Sequence, residues 1–122
     1  MKLDLDPPAR VNVIRACAPG ELRVGDSLHR ASLVLTATAI LPGWRPASPA
    51  DLQADDFEAI VGLRPELVLL GTGARQVFPA PAVLAPLHAA RIGYEVMDTR
   101  AACRTFNVLV AEGREVAAAL IV

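Results

Sequence analysis

Two short polar stretches hold most of the chemistry this sequence could offer. Gly71-Thr72-Gly73 follows the apolar run Leu67-Val68-Leu69-Leu70, and Asp98-Thr99 follows Gly93-Tyr94-Glu95-Val96-Met97. If the two runs are neighbouring parallel strands, both loops stand at the carboxyl edge of one sheet, where open α/β sheets bind ligands. Glycines there let a ligand reach backbone N–H groups, and a helix starting at Thr99 turns its positive end toward an anion. A dinucleotide fingerprint needs a third glycine, and Gln76 stands in that place, so a Rossmann site is not indicated. The competing reading is structural. The glycines then mark a tight turn, and the Asp98 carboxylate, which would otherwise repel an anion, caps the helix.

The other reactive groups are scattered. Asp98 as a general base has no histidine or second acid close to it in sequence. Cys103 lies between Arg100 and Arg104, which would favour its thiolate, but its helical position flanks an apolar stripe, where cysteine is usually inert. Thr105 and Asn107 fall mid-helix, where such side chains face solvent or bond a carbonyl. His29 and His88 have no ligand partner four residues on and read as surface or strand-edge histidines. Trp44, in a Pro/Gly loop, either plugs one end of the core or anchors a partner. Asp51, Asp55, Asp56 and Glu58 read as the solvated face of a helix, and Glu112 with Arg114 as a local ion pair. Cys17 and Cys103 are the only cysteines and form no CxxC pair, so neither zinc nor a disulfide scaffold is expected, and no cofactor is implied.

The elements that must position these groups are legible from pattern. Val11, Val13 and Cys17 alternate as a first strand after a proline-bearing, extended lead-in over 1–9. Ala18-Pro19-Gly20-Glu21 has the residues of a type II turn, and Glu21–Val24 returns as the second strand. Gly25-Asp26 breaks the chain before a long β-prone run over 28–39, which gives an antiparallel meander in the first third. Leu41-Pro42-Gly43-Trp44-Arg45-Pro46 ends it. Ser48-Pro49 reads as a capped helix start, with the helix running to Gly62. Leu67–Leu70, apolar on both faces, is a buried central strand. A helix starting near Pro81 or nearer Leu84 leads to the strand at 93–97, completing a βαβ unit. Asp98 or Thr99 then caps a helix that lays Ala102, Phe106, Leu109 and Val110 on the sheet and stops at Gly113. Val116, Ala118, Leu120 and Val122 alternate as a last strand, although 115–120 is also good helix material.

The totals exclude several classes. Of 122 residues, 53% are apolar and 4% aromatic, enough for one core built from small aliphatics. A formal charge of −1 carries no nucleic-acid or anionic-membrane footprint. No apolar run approaches the ~20 residues that span a bilayer, and the start lacks a signal peptide's apolar core. The expected placement is cytoplasmic, with one domain over 1–122.

The segment MDTRAACRTFNVLVAEGREVAAAL, with ELVLLGTG upstream, resembles the MTH938-like family, also called DUF498. Gly71-Thr72-Gly73, Met97-Asp98-Thr99, Ala102, Thr105, Asn107, Leu109 and Glu112-Gly113-Arg114 carry the likeness, joined by Gly25, Ser32 and Trp44. Phe106 departs from it, since tyrosine is expected there. The resemblance implies a three-layer α/β fold around a mixed sheet, with the N-terminal antiparallel meander and a βαβαβ C-terminal part. It also implies a binding or assembly role with protein partners and no known reaction, because one branch resembles a mitochondrial assembly factor for respiratory complex I. The residues themselves point away from an enzyme. The alternative is a small-molecule or anion-binding protein whose pocket takes in Gly71, Thr72, Gly73, Asp98 and Thr99, with Thr105 and Asn107 matching the family pattern beside it.

Overall fold

A computed structural model describes residues 11–122, so the lead-in expected over 1–9 lies outside the described residues. Three strands open the described chain: β1 (Ile14–Ala18), β2 (Glu21–Val24) and β3 (Ser27–His29). They pair antiparallel in the order β1-β2-β3. Ala18 and Glu21 close the first hairpin, and Gly20 takes φ +79°, as the second centre of a type II turn requires. Between Ile14 and Ala16 the register slips by one residue, which makes Arg15 a bulge.

The run over 28–39 is not one strand. It divides into β3 and β4 (Leu33–Thr36), which belong to different sheets. Leu41-Pro42 does not end the meander either, because β5 (Ile40–Pro42) pairs back on β4 across a turn at Thr36–Ala39. In that turn the Thr36 hydroxyl accepts from the Ala39 N–H at 3.0 Å. Proline is tolerated there because β5 is an edge strand. Val11 and Val13 precede the first strand and stay exposed.

The second sheet is mixed, with order β5-β4-β8-β6-β7. Here β6 is Leu67–Gly71, β7 is Gly93–Met97 and β8 is Val116–Leu120. β6 runs parallel to both β7 and β8, and β8 runs antiparallel to β4. Between β6 and β7 the chain makes a 3-10 turn at Pro81–Leu84 and the short helix α2 (Ala85–Ala89), so both expected starts are used. The 13-residue helix α3 (Thr99–Ala111) connects β7 to β8, completing the βαβαβ part.

Pleating of the central sheet makes two cores. On one face Leu33, Leu35, Leu69, Val116, Ala118 and Leu120 meet α3 and the first sheet. On the other face Val34, Val68, Leu70, Ala117, Ala119 and Ile121 meet α2, a 3-10 turn at Ala54–Phe57 and the short helix α1 (Glu58–Gly62). The result is three layers. Every residue of β8 is buried, and its alanines keep both covering layers close to the sheet. α3 contributes Ala102, Cys103, Phe106 and Val110 to the first core, with Leu109 partly buried.

Ser48 makes no side-chain cap, and its segment is only one 3-10 turn, Pro49–Asp51. The capping box lies five residues on. Asp56 accepts from the Gln53 N–H at 2.8 Å, and Gln53 answers the Asp56 backbone.

Candidate functional site

The parallel pairing of β6 with β7 puts Gly71 opposite Met97, so the loops after the two strands do stand side by side at one carboxyl edge. What they do there is mostly bond to each other. The Gly73 N–H donates to Thr99 Oγ1 at 2.7 Å, and the Thr99 N–H donates back to the Gly73 carbonyl at 2.9 Å. The Thr99 hydroxyl donates to the Ile121 carbonyl at 2.7 Å, and the Ile121 N–H reaches the Gly71 carbonyl at 2.9 Å. Thr72 is 2% exposed. Its hydroxyl donates to the Arg75 carbonyl at 2.6 Å and accepts from the Val77 N–H at 3.0 Å.

Gly71 is required by crowding. A Cβ there would stand 3.0 Å from Thr99 Cα, Thr99 Oγ1 and Leu120 Cδ2. Gly73 is required by conformation, with φ +90° and open space around it. Asp98 caps α3: its carboxylate accepts from the Ala101 N–H at 2.8 Å.

Around this edge lies an open cleft of about 570 Å³. Gly73, Asp98 and Thr99 line it together with the Pro19-Gly20 turn, Arg100 and Val122. Gly71 and Thr72 are sealed beneath it, and Thr105 and Asn107 lie elsewhere. Thr105 sets its hydroxyl 3.6 Å from Met97 Sδ. Asn107 works as a strand partner: its Oδ1 accepts from the Ile14 N–H at 2.9 Å, and its Nδ2 donates to the Ile14 carbonyl at 2.8 Å. It therefore pins the first sheet to α3.

Cys103 is 4% exposed, and burial, reinforced by the adjoining Cys17, holds its thiol far above the usual thiol range. A lone thiolate nucleophile at Cys103 is not what this environment makes. Cys17 was not singled out as a partner from sequence, because only the β1–α3 packing brings the two together. Both cysteines are free thiols.

The remaining polar groups are structural or superficial. Trp44 plugs the second core, edge-on to Phe57 with ring centres 5.8 Å apart, and its indole N–H donates to the Asp56 carbonyl at 2.9 Å. His29 meets the Ser27 hydroxyl at 3.0 Å and His88 the Tyr94 hydroxyl at 2.9 Å, both exposed. The expected acidic helix face resolves into a clamp. Arg45 bonds Asp56 with two donors at 2.8 Å and Asp51 at 3.1 Å; the Arg45 bonds hold the Asp56 carboxylate below its ordinary range, and the Ala47 N–H together with Arg45 does the same for Asp51. Arg114 pairs with Glu66 at 3.0 Å instead of the expected Glu112. Among the described residues no group of three or more His, Cys, Asp or Glu side chains forms a metal site. Among the same residues no helix is long and apolar enough to cross a membrane.

A family model described as a protein of unknown function, DUF498/DUF598, matches residues 14–121. Human NADH dehydrogenase (ubiquinone) 1 alpha subcomplex assembly factor 3 is 40% identical over 94 residues, covering 72% of this chain and 51% of that protein. The chain spans about half the length of this relative and of its bovine and murine counterparts. The crystal structure of a Bordetella parapertussis protein superposes with a TM-score of 0.86 at 36% identity, covering 93% of this chain and 98% of that one. A Bordetella pertussis protein described as a Mth938-like domain gives 0.81 at 32% identity, over 98% of this chain and 91% of that one.

Proposed function

The chain belongs to the DUF498/DUF598, or Mth938-like, family, and from that membership we propose that it is a non-enzymatic module that binds partner proteins in the manner of an assembly factor. The likeness to assembly factor 3 over 72% of the chain carries this reading. The geometry supports it. At the sheet edge where an α/β protein would place reactive groups, Thr72, Thr99 and Asp98 are already committed to backbone partners. On this reading the protein is bacterial and cytoplasmic, acts as one domain over 1–122, binds no nucleic acid and does not insert directly into a membrane.

The test is affinity purification of the tagged full chain at native abundance, with the eluate resolved by native gel. A defined partner, recovered in fixed ratio and comigrating with the chain, is the expected result. A chain found only by itself at every growth stage overturns the proposal.

The cleft favours a second reading, a small-molecule or anion-binding protein using Gly73, Asp98 and Thr99, with the positive end of α3 beside them. Its volume of about 570 Å³ falls in the range of small-ligand pockets. Titration with phosphate, nucleotides and small carboxylates, read as amide shifts of 73 and 98–101, tests it. Unmoved resonances across all three sets eliminate it.

A further inference from the structure

Beside the cleft lies a smaller basin of about 280 Å³ with an unusual lining. Cys17 and Cys103 both line it, along with the guanidinium-bearing side chains of Arg15, Arg100 and Arg104. The placement follows from the fold. Cys103 and Arg104 lie three and four residues after Arg100, and Asn107 lies four and three residues after them, so the four share one stripe of α3. Asn107 fastens Ile14 of β1 to that stripe, and Cys17, three residues along β1, packs against the core cluster that holds Cys103 and lines the same basin. The bulge at Arg15 adds a third arginine at the rim.

All three arginines are exposed, and the ion pairs between described residues are made by other arginines: Arg30, Arg45 and Arg114. Asp98, two residues before Arg100, is engaged with the Ala101 N–H. Cys17 is half-buried, and Cys103 is buried. Cys17 and Arg100 also line the larger cleft, so a bound molecule can extend from the basin into it.

We propose that Cys17 and Cys103 form a thiol–disulfide exchange site for anionic low-molecular-weight disulfides, with Cys17 as the entry thiol, Cys103 as the resolving thiol and Arg15, Arg100 and Arg104 as the anion guide. In the first step Cys17, having lost its proton to solvent, attacks one sulfur of the small disulfide. A bond forms between Cys17 Sγ and that sulfur, the small disulfide's S–S bond breaks, and one small thiolate leaves and takes up a proton. In the second step Cys103 loses its proton to solvent and attacks Cys17 Sγ. The Cys17–Cys103 bond forms, the mixed disulfide breaks, and a second small thiol leaves. Two electrons pass from the protein dithiol to the small disulfide, which is reduced to two thiols. Because burial keeps Cys103 protonated, the second step is the slower one and the mixed disulfide on Cys17 accumulates.

The experiment incubates the reduced full chain with glutathione disulfide, which is anionic, or cystamine, which is cationic, and follows intact mass and peptide maps. Each rate is divided by the rate of the same reagent with a cysteine model peptide. The expected result is a glutathione adduct on Cys17 that gives way to a protein two hydrogens lighter, with Cys17 linked to Cys103. The normalised glutathione rate should exceed that of cystamine by about tenfold at low salt, the lower end of what electrostatic steering supplies. Arg100→Gln combined with Arg104→Gln, both on the helix surface, should bring the two rates together. Cys103→Ala should stop at the adduct. Equal normalised rates for the two reagents in the wild type overturn the proposal. So does a stable adduct that never closes, or an adduct found first on Cys103.

Discussion

At the scale of single residues, the two glycines of the β6 loop separate two physical reasons for having no side chain. Gly71 is surrounded: a methyl would press on Thr99 Cα, which is backbone and cannot swing aside, at 3.0 Å. Gly73 is free in space and constrained only in angle, with φ +90°. Gly71→Ala should therefore cost about 1–3 kcal/mol, as overpacking does, and it should disturb the Thr99 hydroxyl that links Gly73 to Ile121. Gly73→Ala should cost about 1 kcal/mol through left-handed strain alone and leave that hydroxyl in place. Urea denaturation gives the energies, and the amide shifts of 73 and 121 give the distinction. Equal costs with equal shifts would show that crowding and strain had been wrongly assigned. Sequence suggested that only glycine fits this turn, but it did not distinguish the two reasons. Crowding depends on Thr99 and Leu120, residues on elements distant in the chain.

At the scale of elements, short polar devices hold pieces of structure that could not stand alone. The first sheet has three short strands, and Asn107 supplies β1 with a partner for both Ile14 backbone groups. Asn107→Ala should cost about 1–3 kcal/mol, because it leaves buried backbone groups unpaired, and amide exchange at Ile14 should accelerate more than at Leu35. An unchanged Ile14 rate would show that packing alone holds β1. The Arg45 clamp similarly fixes the two 3-10 turns, Pro49–Asp51 and Ala54–Phe57, under Trp44. The folded pKa values of Asp56 and Asp51 lie below their ordinary 3.8, chiefly through the Arg45 hydrogen bond at Asp56 and the Ala47 N–H and Arg45 at Asp51. A depressed carboxylate contributes stability above its unfolded value and loses it as pH falls through the folded one. Arg45→Gln should thus lower the melting temperature at pH 7, and the gap from wild type should close as pH drops below about 3.8. A gap that persists at pH 2 would assign Arg45's role to packing of its stem.

At the scale of the whole molecule, local pattern and long-range pairing divide what the sequence revealed. β6, α3 and its Gly113 stop were legible because each depends on its own residues: a doubly apolar run, a helical stripe, and a left-handed residue with φ +80°. The splitting of 28–39 into two sheets was not, since Leu28 and Leu33 have the same β character and only their partners differ. The Ala-rich β8 was ambiguous for the same reason: its alternation reads as a strand while its residues also suit a helix, and its place between β4 and β6 decides for the strand. Among the candidate site residues, the adjacency of the 71–73 and 98–99 loops was legible, whereas the Asn107–Ile14 bond and the Cys17–Cys103 neighbourhood depend on β1 crossing α3. This division also orders stability. The central sheet is buried on both faces, and β8 is hydrogen-bonded on both sides. The first sheet is held on one face only, through Ile14, Leu22 and Val24 against the α3 core, and Leu28 in the middle of β3 is 40% exposed. Opening of the first sheet should therefore require less free energy than global unfolding. Native-state amide exchange should rank β3 and β2 below β4, and β4 below β6 and β8, with only the last group matching the global value from denaturation. If β2 exchanges at the global value too, the layers unfold as one unit, and the α3 contact is stronger than its single buried face implies.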